Sequence, residues 1–257
     1  MGDRDPAQQA YTLGREAWEA NDYDGIITNY TRALELEPGN PNALEAYIDR
    51  GEARAAKGDF DGSEADFKLG LALNPKFPIT YWLRSKARLL KGDYDGTIAD
   101  CTFLIELDPK DIGTVADSYF ERAMARLDKG DVGDAVADCD KSLAVHKPEE
   151  DGATEIYEVR AIARQLAHDT PGALADLREG TNLHDTYCAL WLFLRQAESG
   201  QRDDGAKVLS AELDQEAAIE AKQPCLSPGP KWLSRVGSML LGKATVAELL
   251  AVAGTER

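Results

Sequence analysis

Positive charge is what this chain has too little of. Its 257 residues hold 29 lysines and arginines against 46 aspartates and glutamates, a formal net charge of -17. Such a surface repels phosphate backbones, so nucleic acid is excluded as an expected partner. Histidine is scarce: His146, His168 and His184 lie far apart, with no cysteine or carboxylate at metal-ligand spacing. They read as surface or turn residues, and no metal is expected. The four cysteines, Cys101, Cys139, Cys188 and Cys225, form no CxxC pair, which suits a reducing compartment and provides no disulfide framework. No apolar run approaches the ~20 residues that cross a bilayer, so no membrane span is expected. The first ten residues lack the basic, apolar, small-residue progression of a signal peptide. The expectation is a cytoplasmic protein, or a periplasmic one if a leader has been removed. GxSxG, HExxH, P-loop and GxGxxG patterns are missing, so no catalytic residue, cofactor or enzymatic activity is expected.

What the chain does have is a repeat. Hydrophobic residues make up 43%, enough for a core. The segments NDYDG (21–25), KGDFDG (57–62), KGDYDG (91–96) and KGDVGD (129–134) are versions of one turn. From Asn21 to Gly58, Gly92, Gly130 and His168 the steps are 37, 34, 38 and 38 residues. Each turn follows one helical stretch and precedes another. Pro38, Pro75 and Pro109 stop three of the second helices, since proline cannot donate and clashes with the preceding turn. Asp24, Asp61 and Asp95 are expected as the N-caps of those helices. The surplus over 34, at 41–43, 112–115 and 150–153, is an extra turn at the front of a first helix or a longer loop, since a turn takes ~3.6 residues.

These features resemble the tetratricopeptide repeat, a pair of antiparallel helices of about 34 residues. Repeat one matches at Leu13, Gly14, Tyr30, Ala33 and Pro38, and repeat three at Tyr81, Gly92, Asp93, Tyr94, Ile105 and Pro109. The resemblance implies an all-α, right-handed superhelical stack of about six hairpins over 1–221, with repeats near 7–40, 44–77, 78–111, 116–149, 154–185 and 186–219. Repeats five and six are degenerate, with His168 and Thr170 where glycine and an aromatic are usual. Beyond it, KQPCLSPGP is a connector, and amphipathic segments over 230–253 are expected as the terminal cap that any repeat stack needs. The tail, with WLFLRQAESGQ (191–201), resembles the end of bacterial NlpI-type repeat proteins.

Two motifs invite other readings. Asp93-Tyr94-Asp95-Gly96-Thr97 spells the DxDGT of haloacid-dehalogenase-type phosphatases, but the preceding residues are helical and charged, and the frame recurs where no catalysis is intended. The same loops lack the ligands of an EF-hand. Cys101 and Cys139 occupy equivalent positions in adjacent second helices and read as small packing residues. More unusual is a ladder of Arg50/Arg54, Arg84/Arg88, Arg122/Arg126 and Arg160/Arg164, each matched by Asp66, Asp100, Asp138 or Asp176. Repeats lacking the arginines lack the aspartate. One reading has the first arginine of each pair bridging the aspartate across the hairpin; the other is a basic stripe for an acidic ligand.

In this family the first helix of each repeat lines the inside of the curve. That face would carry Tyr11, Arg15 and Trp18, then Ile48, then Trp82, Lys86 and Leu89, then Phe120 and Met124. The i, i+4, i+7 spacing puts each set on one stripe. The stripes are a protein-binding groove or the hairpin core. With Tyr11, Arg15 and Asp49 at its main positions, the family's carboxylate clamp for chaperone tails is missing. The expectation is a non-enzymatic scaffold or adaptor whose apolar, partly basic groove takes a peptide or partner protein. Self-assembly, or a place as accessory subunit of an enzyme or export complex, is the alternative.

Overall fold

The computed structural model describes residues 5–145, 153–183, 186–198, 206–211 and 214. Eleven helices run among them, α1 (Pro6–Glu19), α2 (Tyr23–Leu36), α3 (Ala43–Ala56), α4 (Phe60–Leu73), α5 (Pro78–Lys91), α6 (Tyr94–Leu107), α7 (Ile112–Lys129), α8 (Val132–Val145), α9 (Ala153–Leu166), α10 (Thr170–Asn182) and α11 (Thr186–Glu198), and residues 206–211 are helical as well. No strand occurs among the described residues. The chain divides into two compact units, one ending at Asp131 and one beginning at Val132. The expected cap over 230–253 lies outside the described residues.

In the first unit α1 packs on α2, α3 on α4 and α5 on α6, while α2, α4 and α6 pack on the helix that follows each. The first helices also touch in series, α1 with α3, α3 with α5 and α5 with α7. In the second unit α9 packs on α8 and α10, and α10 on α11. The surplus residues at 112–115 form an extra turn at the front of α7, which runs to 18 residues where its neighbours have 14. At 41–42 the chain instead makes a turn before α3, which begins at Ala43.

Small residues set the spacing. Ala10, Ala17, Ala33, Ala43, Ala46 and Ala53 are buried around Tyr11, Ile26, Tyr30 and Leu34. A Cβ at Gly14 would lie 2.5 Å from the Tyr30 ring, so only glycine lets α2 approach α1 so closely. In the second unit Cys188 and Leu192 of α11 meet Ala161 and Leu177. Ala189, Leu190 and Phe193 pack around Leu209.

The turns differ from expectation in one respect. Asp22, Asp59, Asp93 and Asp169, not Asp24, Asp61 and Asp95, cap the second helices: each carboxylate accepts from a glycine N–H three residues on, at 3.0 Å. A cap must precede the first helical residue, and Asp24, Asp61 and Asp95 already lie inside the first turn. They serve the neighbouring repeat instead. Lys57, Lys91 and Lys129 reach them at 2.7, 2.6 and 2.7 Å. The recurrence of the DxDG frame is thus structural, one aspartate capping its helix and the other tying two repeats.

Candidate protein-binding groove

The arginine ladder positions the first helices. Arg50 donates to Asp66 through Nε and Nη2 at 2.9 and 2.6 Å, and Arg54 Nη1 donates to the same carboxylate at 2.6 Å. Arg84 and Arg88 repeat the arrangement on Asp100, and Arg160 and Arg164 on Asp176. Arg122 and Asp138 belong to different units. The aspartates are almost wholly buried, so the bidentate geometry and the second arginine are what make their charge tolerable. The bridge reading of the ladder holds for these three rungs and goes further than expected, because both arginines of each pair share one carboxylate. A tyrosine three residues before each first arginine, Tyr47, Tyr81, Tyr119 or Tyr157, lies beneath its guanidinium at 5.2–5.7 Å. The recurring Tyr-x-x-Arg-x-x-Ala-Arg spacing carries that signal.

With the arginines directed toward the second helices, the other face of α3 is turned elsewhere. It forms the floor of a groove of about 500 Å³, bounded by Trp18 of α1, by Pro41 and Asn42, and by Phe77, Ile79, Trp82 and Leu83 around the start of α5. From α3 the lining includes Leu44, Glu45, Ile48, Asp49 and Glu52. Trp18 is 49% exposed, Trp82 half-buried and Ile48 buried. Trp18, Ile48 and Trp82, from three helices, thus come together.

The remaining expected residues sit around it. Tyr11 is buried, and its hydroxyl donates to the Glu37 carbonyl at 2.9 Å. With Arg15, Tyr30 and Glu45 it lines an adjoining polar cleft of about 50 Å³. Lys86 is exposed, its ammonium 4.3 Å from the centre of the Trp82 ring. Leu89, Phe120 and Met124 are half-buried on α5 and α7, outside the groove lining. The basic character expected of the groove is not in its lining, which has three carboxylates and neither lysine nor arginine; the hydrophobic stripe is visible in the sequence, while the acids between its members read there as ordinary solvated positions.

Asp49 is held by Tyr30, whose hydroxyl donates to Oδ2 at 3.1 Å, and its burial pushes its pKa up to about 7. Glu121 of α7 is also buried, and burial raises its pKa to about 7. Ser85 Oγ lies 2.5 Å from Glu121 Oε2 and 2.8 Å from the Trp82 carbonyl. Serine beside a carboxylate invites a catalytic reading, but Ser85 is 0% exposed, so no substrate reaches it. Cys101 and Cys139 are buried, and burial pushes the Cys139 thiol up to about 12, far from a reactive thiolate. No trio of histidine, cysteine or carboxylate among the described residues is arranged to hold a metal ion. No helix there is long and apolar enough to cross a membrane.

No protein-family model matches the sequence, and no curated protein does. Solved structures do match the fold. MamA from Desulfovibrio magneticus RS-1, from residue 41 to its end, is 16% identical with a TM-score of 0.61, over 71% of this chain and 96% of that one. A second MamA crystal structure is 18% identical with a TM-score of 0.58, over 66% and 94%. A tetratricopeptide repeat protein from Parabacteroides merdae ATCC 43184 is 12% identical with a TM-score of 0.66, over 96% and 90%. At these identities the likeness establishes the fold: a stack of tetratricopeptide-type helical hairpins.

Proposed function

We propose that this tetratricopeptide-type stack is a non-enzymatic protein-interaction scaffold, and that it holds a segment of a partner polypeptide in the groove over α3. The observation that carries the reading is Trp18, half exposed beside a cavity of about 500 Å³ that Trp82 and Ile48 also line. An indole left in water at the rim of a concave surface is costly unless something covers it. Tryptophan is also the residue most enriched where few side chains carry most of a binding energy. In this reading Tyr11 and Ile48 support the floor, Arg15 and Lys86 flank it, and Leu89, Phe120 and Met124 extend the concave face along α5 and α7.

The test is Trp82→Ala. A protein retained from native lysate by the wild-type chain is identified by mass spectrometry and titrated against both forms. Truncation is expected to weaken binding by about 2 kcal/mol or more, roughly 30-fold in Kd, with helix content and thermal midpoint nearly unchanged. A collapse of the midpoint without a separable binding defect would place Trp82 in the core and remove the groove. Light scattering at several concentrations shows whether the partner is a second copy of the chain.

A further inference from the structure

We infer that the occupant of this groove is an extended basic segment of a partner protein, with arginine or lysine alternating with apolar residues; the inference rests on the groove being the binding site. Glu45, Asp49 and Glu52 line the groove and follow one another on α3 at steps of four and three, so they share one face of the helix over about 10 Å. Among the described residues none of the three has an ion-pair partner, whereas Asp66, Asp100 and Asp176 of the ladder and Asp24, Asp61 and Asp95 of the turns are each matched by arginine or lysine. Tyr30 gives Asp49 a hydrogen bond but no counter-charge. Glu45 and Glu52, with Asp49 between them about half ionised near neutral pH, attract cations more strongly in a concave, aromatic-walled surface than the same groups would on an open face.

The spacing favours a peptide over a small cation. Negative charge spread from Glu45 to Glu52 over about 10 Å exceeds the reach of a single ammonium. An extended strand advances about 3.3 Å per residue with alternate side chains on one face, which puts residues i and i+2 about 6.6 Å apart. The helical rise from Glu45 to Asp49 is about 6 Å, and a cation beside Asp49 draws it into its charged form, so two cations separated by one residue match it. The intervening apolar side chains meet Ile48 and the tryptophans. Lys86 already lies against the Trp82 ring, and the half-exposed Trp18 offers a face for a guanidinium. A second copy of the chain suits the site poorly, because it brings a net charge of -17 to an acidic groove.

The test uses the intact chain and a fluorescein-labelled octapeptide of alternating arginine and leucine, with its glutamine–leucine counterpart, followed by anisotropy at about physiological salt. The arginine peptide is expected to bind at least tenfold more tightly. That preference should vanish in the triple variant Glu45→Gln, Asp49→Asn, Glu52→Gln and survive in Glu16→Gln, Glu35→Gln, Glu106→Gln, which removes at least as much charge from exposed sites elsewhere. Trp18→Ala with Trp82→Ala should weaken both peptides. If both peptides bind alike and both depend on the tryptophans, the groove stands and the basic partner falls. If the control triple loses the preference as fully as the groove triple, the attraction is the general field and the inference falls. If neither peptide responds to the tryptophans, the groove falls with it. Circular dichroism on each variant removes misfolded forms from the comparison.

Discussion

At position 168 a histidine holds φ = +62°, in a turn where Gly58, Gly92 and Gly130 hold +81°, +82° and +92°. The turn needs a left-handed residue to end the first helix, and a Cβ is strained there by about 1 kcal/mol or more. Asn21, at +54°, suffers less because asparagine tolerates that region. His168→Gly is therefore expected to stabilise the chain by about 0.5–1 kcal/mol after glycine's own entropy cost, and Asn21→Gly by less, read from urea midpoints. Asp66 makes the opposite case. Removing it with Asp66→Ala leaves Arg50 and Arg54 facing each other without their shared carboxylate, and the loss is expected at about 3 kcal/mol or more. Asp61→Ala, on an exposed pair with Lys91, should leave the same midpoint unmoved.

Glu121 ties α7 to α5 and α6, and its protonation ties stability to pH. Burial favours its neutral form, against the pull of Ser85, Lys86 and Cys101, while Asp117 adds to the rise. Neutral Glu121 can donate to Ser85 Oγ, which then donates to the Trp82 carbonyl. A carboxyl whose folded pKa is raised gives stability that is complete below its unfolded value, about 4.3, and lost as pH rises through about 7. Glu121→Gln keeps a donor for Ser85 without the charge. Relative to that variant, the wild type is expected to lose about 2–3 kcal/mol between pH 4.5 and pH 8 in urea titrations; a flat difference would show that Glu121 stays ionised. Asp49, raised in the same direction, leaves its own slope in both proteins. At this scale much was legible beforehand. The Gly-Asp turns and the prolines mark hairpin boundaries because their backbone requirements are local. Arg50, Arg84 and Arg160 could be paired with their aspartates because both residue types appear and vanish together. The caps lie two residues before the expected ones, since Asp-x-Asp offers two carboxylates and only helix geometry separates them. The acidic floor of the groove is not legible in the sequence, because Glu45, Asp49 and Glu52 read as ordinary solvated positions until Trp18 and Trp82 flank them.

Over the whole molecule the surplus of acid sets two opposite responses to salt. The 17 unbalanced charges repel one another in the compact state, and they outweigh the exposed lysine–aspartate pairs, each worth little. Raising sodium chloride from about 10 to about 200 mM shortens the Debye length from about 30 to below 10 Å. The thermal midpoint is expected to rise over that range. Affinity for the arginine–leucine peptide should fall over the same range, since there the charges attract.

The pairing of Lys57 with Asp24, Lys91 with Asp61 and Lys129 with Asp95 bears on how such a chain can lengthen. The two repeats that carry both residues, Lys57 with Asp61 and Lys91 with Asp95, offer the lysine backward and the aspartate forward, like links with one hook and one eye. A duplicated copy of 57–90 placed after the original would find an aspartate waiting behind it and present one to the next repeat. No charge is orphaned by adding or deleting such a link, so unequal recombination within the gene would yield folded proteins of different lengths, with natural variation in repeat number among descendants.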